Sequence, residues 1–578
     1  MIRKMISSTV VILLATLGLV QTSSANATEP APISLPEETQ IWQGYPLAGE
    51  RVFLVGTLWD NATSKQSFFG LMVEANGKGS SPIVFDGAKP NTTNFSISDQ
   101  SLVQLADGSL ALSWATYDGV TKKSQLSFAS STNGIKWSKP THPVADYVAS
   151  GSGCEQFCGF NQPRLAADGK NRIGLMFSTE TSGDGTARAP VSLVSKIGTS
   201  KWSSATSISE TLPRGGWSSP LSLFGLPTGG FSLTWNFRAF MAEGYAIQSG
   251  IWLPGTDKFQ KVVTFQPPVA DPLAISRTLN NLVGKPIKLS STEYVQLFSD
   301  TASDFTAGVY WSRFSTVTKA WTPLVALSNP ATGYVPWYVT TQVMKDIDGT
   351  VYLGYVFQGN GSKDIRMVSV RNGSAPQAFS SVQQISSQGY VTLDAIDRNP
   401  NGTLSIYFTE EDGINRSRSM FMRMGDSISN PALIPTTEMR SYRVIGTALG
   451  NHLIVETADQ TDIVTIYLEK PERRPVISAL PKISGLLKKN ATVSVSSPKF
   501  YAPNGVGASS FQWYRCEQAV PVNEFNRVAE SCSPIPGATK STYKVSSGDK
   551  SAFLLATVTS SNALGSTQVS SKSTTVVK

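Results

Sequence analysis

Apolar and polar positions alternate in short runs along the chain, and the runs recur in a fixed order. A turn in which Asp, Asn or Gly stands next to Gly precedes a period-2 run that ends on an aromatic. Asp107-Gly108 leads to Trp114, Thr228-Gly229 to Trp235, Asp348-Gly349 to Tyr355 and Asn401-Gly402 to Phe408. Looser copies surround Gly49, Asp168-Gly169, Ser291-Thr292 and Gly450. The marked positions fall at 49, 108, 169, 229, 292, 349, 402 and 450, with gaps of 59, 61, 60, 63, 57, 53 and 48 residues.

The physical logic is the same in each copy. The Gly-containing step supplies the positive φ of a tight hairpin, and the alternation after it predicts a half-buried strand. Further apolar runs precede several copies (101–106, 221–226, 339–344) and follow several (123–130, 246–253, 365–370). Three or four antiparallel strands per repeat, eight times over, predict an all-β chain built as a β-propeller over 36–470. Eight blades is the count, seven the alternative left by the irregular terminal copies, and the first copy is expected to lend a strand that closes the ring. A string of sandwich domains of ~100 residues would not repeat at this shorter period.

Composition narrows the picture. Of 578 residues 40% are hydrophobic and 16% charged, with 47 Gly and 33 Pro, which excludes disorder and a helical bundle. Residues 1–27 read as a signal peptide: Arg3 and Lys4, an apolar run over 9–20, then Ala25-Asn26-Ala27 as a cleavage site. That run is too short to span a bilayer, which takes ~20 residues. The expectation is a secreted protein, extracellular or associated with the cell surface, without membrane insertion after signal removal. Formal net charge is +8 without a dense basic block, so a nucleic acid partner is not expected.

Four cysteines fit an oxidising compartment: Cys154 with Cys158, and Cys516 with Cys532, read as two disulfides. The only histidines are His142 and His452, neither beside a cysteine, so no metal site and no cofactor are expected.

Ser130, Thr132, Gly134 and Trp137 lie in the spacing S-x-D-x-G-x-x-W, with Thr132 at the Asp position. This stretch resembles the Asp-box, or BNR repeat, of sialidase-like propellers. The resemblance implies a hairpin between outer strands of a blade with the Trp packed beneath it, away from any active site. Fragments recur at Trp202 and Trp321. Farther on, Trp513, Cys516, Cys532, Pro536-Gly537, Tyr543 and Asn562 resemble the Ig-like modules of exported actinobacterial surface proteins. That likeness implies an Ig-like β-sandwich at 475–578, its two cysteines stapling neighbouring strands and its Trp in the core. The stretch 469–475 is the boundary.

Chemistry is less legible. Sialidases clamp a carboxylate with three Arg, the first in an Arg-Ile-Pro motif, and use a Tyr nucleophile with Glu and an acid/base Asp. No such motif occurs; Gln162-Pro163-Arg164 is the nearest echo and has the Pro on the other side of the Arg. No catalytic residue is carried over. Propellers bind at the channel mouth, where the inner strands begin. That criterion selects Asp99, Gln162, Arg164, Lys285, Trp337, Tyr338, Asp394 and Arg440 as ligand-binding candidates, with Trp217 a further stacking aromatic. The mixture suits a glycan or cell-wall polysaccharide. A second class is a glycoside hydrolase or lyase with paired carboxylates, drawn from Asp60, Asp99, Glu155, Asp300, Asp304, Asp394 and Glu411. A third is an extracellular scaffold for a protein partner.

Overall fold

The structure, a computed structural model, describes residues 32–578 outside a set of short stretches, chief among them 149–157, 181–190, 208–216, 239–245, 266–276, 333–340, 459–463, 470–474 and 521–527. Among the described residues there is no α-helix, and hence no helix long and apolar enough to cross a membrane; one 3-10 turn occurs at Ser547–Asp549.

Eight antiparallel sheets follow one another in chain order. Their first strands are Gln40–Leu47, Phe95–Gln104, Gly159–Ala167, Trp217–Gly225, Arg277–Asn281, Thr341–Lys345, Tyr390–Arg398 and Met439–Gly446, and the sheets are numbered 1 to 8 accordingly. The first strands of sheets 2 and 3, 3 and 4, 6 and 7, and 7 and 8 lie against each other, and that of sheet 8 lies against that of sheet 1. Ile33–Leu35 pairs with Val464–Glu469 as the outermost strand of sheet 8, so the start of the chain completes its last sheet. This is a β-propeller.

The repeat markers fall between the first and second strands. Gly49, Gly108 and Gly229 hold φ of 78°, 87° and 101°, as tight hairpins require. Gly169 is needed for a different reason: a Cβ there would sit 2.2 Å from the Pro227 carbonyl oxygen of the next sheet. Gly349, Gly402 and Gly450 lie outside the described residues.

The second strands differ from the half-buried expectation. Leu110–Asp118 is buried along nearly its whole length, polar residues included, because each sheet is sandwiched between two others. Ser113 therefore spends its hydroxyl on the Ser127 carbonyl, 2.8 Å away. An apolar cluster fills each of the eight junctions, from Phe53, Phe68 and Trp114 between sheets 1 and 2 to Leu54, Leu71 and Leu453 between sheets 8 and 1. The junction of sheets 7 and 8 has the smallest, Ala395, Val444 and Ile454.

Polar links join the same junctions. Asp168 accepts the Gly230 N–H of sheet 4 at 2.8 Å, and the Asn451 amide donates to Glu50 at 3.1 Å across the ring closure. Three tryptophans act as wedges: each leaves the outer part of one sheet and packs on an aromatic of the preceding one. Trp137 meets Phe53 and Phe85 at 5.2 and 5.0 Å, Trp202 meets Phe128 at 5.1 Å and Trp321 meets Phe265 at 5.6 Å.

The turn before Trp137 is capped by residues other than those the motif designates. Asn133 Oδ1 accepts the N–H groups of Ile135 and Lys136, both at 2.9 Å, and Ser131 Oγ accepts that of Gly134 at 2.8 Å. Thr132, at the Asp position of that spacing, is not among these acceptors; the amide oxygen of the next residue along caps the turn.

Residues beyond 475 form a separate core. A four-stranded sheet (Cys532–Pro534, Ser510–Cys516, Phe553–Asn562, Gly565–Ser570) faces a three-stranded one (Ile483–Gly485, Thr492–Val495, Thr542–Lys544) around fully buried Trp513. Cys516 and Cys532 are register partners on adjacent strands and form a disulfide. Cys158 is also disulfide-bonded; Cys154 lies outside the described residues.

Candidate functional site at the channel mouth

The first strands line the centre of the ring, and six of them share an irregularity. In each, one or two residues drop out of register with the second strand: Trp42 in sheet 1, Asp99 in sheet 2, Gln162 and Pro163 in sheet 3, Leu221 in sheet 4, Asp394 in sheet 7 and Arg440 in sheet 8. Such bulges re-aim side chains and are over-represented beside binding sites. Four of the sequence candidates, Asp99, Gln162, Asp394 and Arg440, are these extra residues. Alternation alone could not show this, because a bulge is a local break in alternation. Sheets 5 and 6 keep continuous register in their described first strands.

Gln162 is the most constrained of the set. It holds φ at 49° although it has a side chain and precedes proline, a conformation that costs about 1–3 kcal/mol and persists only where its surroundings impose it. Its side-chain oxygen accepts a hydrogen bond from Ser219 of sheet 4. Arg164 reaches the same sheet, its Nε donating to the Leu221 carbonyl at 3.4 Å and a terminal nitrogen to the Pro163 carbonyl at 3.2 Å. Neighbouring Asn161 donates to Glu180 at 3.3 Å. The bulges of sheets 3 and 4 are therefore stitched together by the residues chosen as ligand contacts.

Asp394 is placed differently from an open mouth position. It is buried, accepts the Thr409 hydroxyl at 2.8 Å and lies 3.7 Å from Arg418 Nε, whose guanidinium sits over the Tyr407 ring at 5.2 Å. Those residues all belong to sheet 7; Asp397 and His452, 3.0 Å apart, form a second pair that joins sheet 7 to sheet 8. This second pair bridges the two sheets where the apolar cluster is smallest.

Sequence reading missed an accessible aromatic at the start of an inner strand. Tyr390 begins the inner strand of sheet 7 and is 59% exposed. Its register partner is Glu411, and the next pair is Val391 with Glu410. Lys363, at the start of a strand in sheet 6, is buried; burial pushes its ammonium down and the charge of Glu410 opposes the shift. The signal that could have found Tyr390 was its place immediately ahead of an alternating run, with two consecutive glutamates closing the paired strand.

Lys285, Trp337 and Tyr338 lie outside the described residues, as do the side chains of Asp99, Arg440 and Trp217. Of the candidate carboxylates, Glu155 and Asp304 lie outside them too, with the side chains of Asp60 and Asp300. Among the described residues no group of three His, Cys, Asp or Glu could hold a metal ion.

No family model and no curated protein matches the chain. Among solved structures it is similar to a Hadza microbial sialidase, Hz136, at 12% identity over 76% of this chain and 97% of that one, with a TM-score of 0.32. It is also similar to the GH93 α-L-arabinofuranosidase of Fusarium graminearum (11% identity, 76% and 97% covered, TM-score 0.31). A third is the polysaccharide lyase Uly1 (9% identity, 75% and 89% covered, TM-score 0.33). Similarity at this level carries no residue correspondence.

Proposed function

We propose that the chain is an exported, eight-bladed propeller (36–470) with a C-terminal Ig-like module (475–578), and that its channel mouth recognises carbohydrate outside the cell or at its surface. The eight consecutive sheets and the strand supplied by Ile33–Leu35 support the blade count. Two facing sheets around Trp513, stapled through Cys516 and Cys532, support the Ig-like reading. The leader-like segment 1–27 supports export.

The observation that carries the carbohydrate reading is the pairing of exposed Tyr390 with Glu411 at the start of an inner strand. An aromatic ring offers its face to the C–H groups of a sugar, and carboxylates accept hydroxyl hydrogens in directions that distinguish epimers.

A glycan array probed with the chain lacking 1–27 tests this, reading retained protein and loss of printed sugar together. Retention that falls at least tenfold in Tyr390→Ala and in Glu411→Gln supports recognition at this mouth. Loss of printed sugar would convert the reading into a glycosidase or lyase. Unchanged retention in both variants would remove sheet 7 from the site, and no retention on a broad array would shift the weight to a protein partner.

A further inference from the structure

The positive charge of this protein is not spread along it. Residues 475–578 hold eleven Lys and Arg against four Asp and Glu, whereas residues 28–470 hold 34 against 36. The C-terminal part is thus strongly basic and the propeller slightly acidic. Charge segregated in this way creates a field with a preferred binding face, and it does so independently of fold.

The fold then gathers part of that charge at one end of the C-terminal core. Lys488 and Lys489 occupy the turn before Thr492–Val495; Lys544 is the register partner of Thr492; Lys550 follows the 3-10 turn Ser547–Asp549. Backbone hydrogen bonds hold these segments together: Asn490 N–H to the Val545 carbonyl at 2.8 Å, Lys578 N–H to that of Leu487 at 3.0 Å, and Ser551 N–H to that of Val577 at 3.1 Å. All four lysines are exposed.

The carboxylate nearest in sequence to Lys550 does not neutralise them. Asp549 is fully buried and is bound by Arg515 at 2.6 and 3.0 Å, by the Tyr543 hydroxyl at 2.7 Å and by the Ser546 N–H at 2.7 Å. Its charge is spent internally on the arginine, and the lysines face solvent.

We propose that this lysine end is a docking surface for an acidic polysaccharide, separate from the propeller mouth. Lysines are compact point charges on mobile stems. They suit a polymer of repeating anionic groups better than a single carboxylate or phosphate, for which the planar arginine fork is the fitting partner. Among the described residues of this part, the exposed large apolar ones are Leu486, Val506 and Val576, with no aromatic on which a nucleobase could stack. That favours a polysaccharide over a single-stranded nucleic acid. The docking surface would hold the protein on an anionic matrix while the mouth engages its own ligand.

The test is affinity electrophoresis and calorimetry of the chain lacking 1–27 with polygalacturonate, with neutral dextran and with a single-stranded oligonucleotide. Polygalacturonate is expected to bind and dextran not to bind. Affinity is expected to fall about tenfold between 50 and 200 mM NaCl, as counterion-linked binding requires. The quadruple variant K488Q/K489Q/K544Q/K550Q is expected to lose tenfold or more at the lower salt. Its charge-matched control on the propeller, K136Q/K139Q/K170Q/K201Q, is expected to bind as the parent does. The paired variants K488Q/K489Q and K544Q/K550Q each fall between, which keeps the test valid should the quadruple variant fold poorly. Equal loss in the propeller control, or no loss in the quadruple variant, would overturn the surface. Tighter binding of the oligonucleotide than of polygalacturonate would overturn the class of partner. The glycan array with Tyr390→Ala reports on the mouth separately, so either site can fail alone.

Discussion

Asp168 offers the sharpest check on how neighbouring sheets are held in register. It is buried at the first hairpin of sheet 3, where one oxygen accepts the N–H groups of Lys170 at 2.8 Å and Arg172 at 2.9 Å. The other oxygen accepts the buried Gly230 N–H of sheet 4 at 2.8 Å. Asp168→Ala removes both acceptor oxygens and with them all three hydrogen bonds. The buried Gly230 donor left unmet costs about 1–3 kcal/mol, and the two donors nearer the surface add about half a kcal/mol each because water replaces part of the bond. The sum is about 2–4 kcal/mol, or roughly 30- to 1000-fold in a local opening equilibrium. Asp168→Asn keeps an acceptor on one side only and is expected to cost about half as much. Hydrogen exchange followed by mass spectrometry, on peptides spanning 166–174 and 224–233, reads these openings directly. Loss of protection confined to 166–174 would mean that Asp168 serves its own hairpin alone. Protection unchanged in both peptides would refute the reasoning.

Asn133→Ala is expected to destabilise the turn of sheet 2 by about 1 kcal/mol while Thr132→Ala is neutral, measured as local exchange at 131–137. Trp137→Ala is expected to cost about 2–3 kcal/mol, below the fully buried range because its ring is only partly covered, and to loosen sheet 1 as well as sheet 2. Burial alone would raise the Asp549 carboxyl, but hydrogen bonds from Ser546, Tyr543 and Arg515 outweigh it and hold the group below its usual 3.8. Its stabilising contribution is therefore complete above that value and is lost as pH falls through the lower folded pKa; in Asp549→Asn the acid dependence of the C-terminal part, followed by Trp513 fluorescence, should flatten in that window. Reducing Cys516–Cys532 should destabilise the same part by about 3 kcal/mol in urea titrations, with the propeller transition unmoved.

Turn chemistry made much of the fold legible. Glycines beside Asp, Asn and Thr announced the hairpins, and their spacing announced the sheets. Burial was less legible. Leu110–Asp118 reads as an alternating strand, yet both faces are covered, because a sheet packs on either side and buries the hydroxyls of Ser113 and Thr116 that composition counts as polar. The mouth was legible in position more than in role. Gln162 and Asp394 were selected for standing near strand starts, and the structure gives both a bonded partner on another strand. Cross-sheet pairs such as Glu50 with Asn451, 401 residues apart in sequence, leave no local trace at all. Tyr390 was overlooked because an aromatic ahead of an apolar run is indistinguishable, by pattern, from the first residue of a buried strand.

The strand Ile33–Leu35 has a consequence for the order in which the molecule can be made. Its partner Val464–Glu469 is synthesised some 430 residues later, so the ring stays open until nearly the whole propeller has left the ribosome. Joining ends that far apart along an unstructured chain would cost about 5 kcal/mol in loop-closure entropy, which is too much for three residues of pairing to offset. The seven sheets between must assemble first and bring the two ends together. Closure is then the final act of folding, and Ile33–Leu35 works as a clasp: cutting it away would leave sheets 1 to 7 formed and sheet 8 with a bare edge, open to a strand from another molecule.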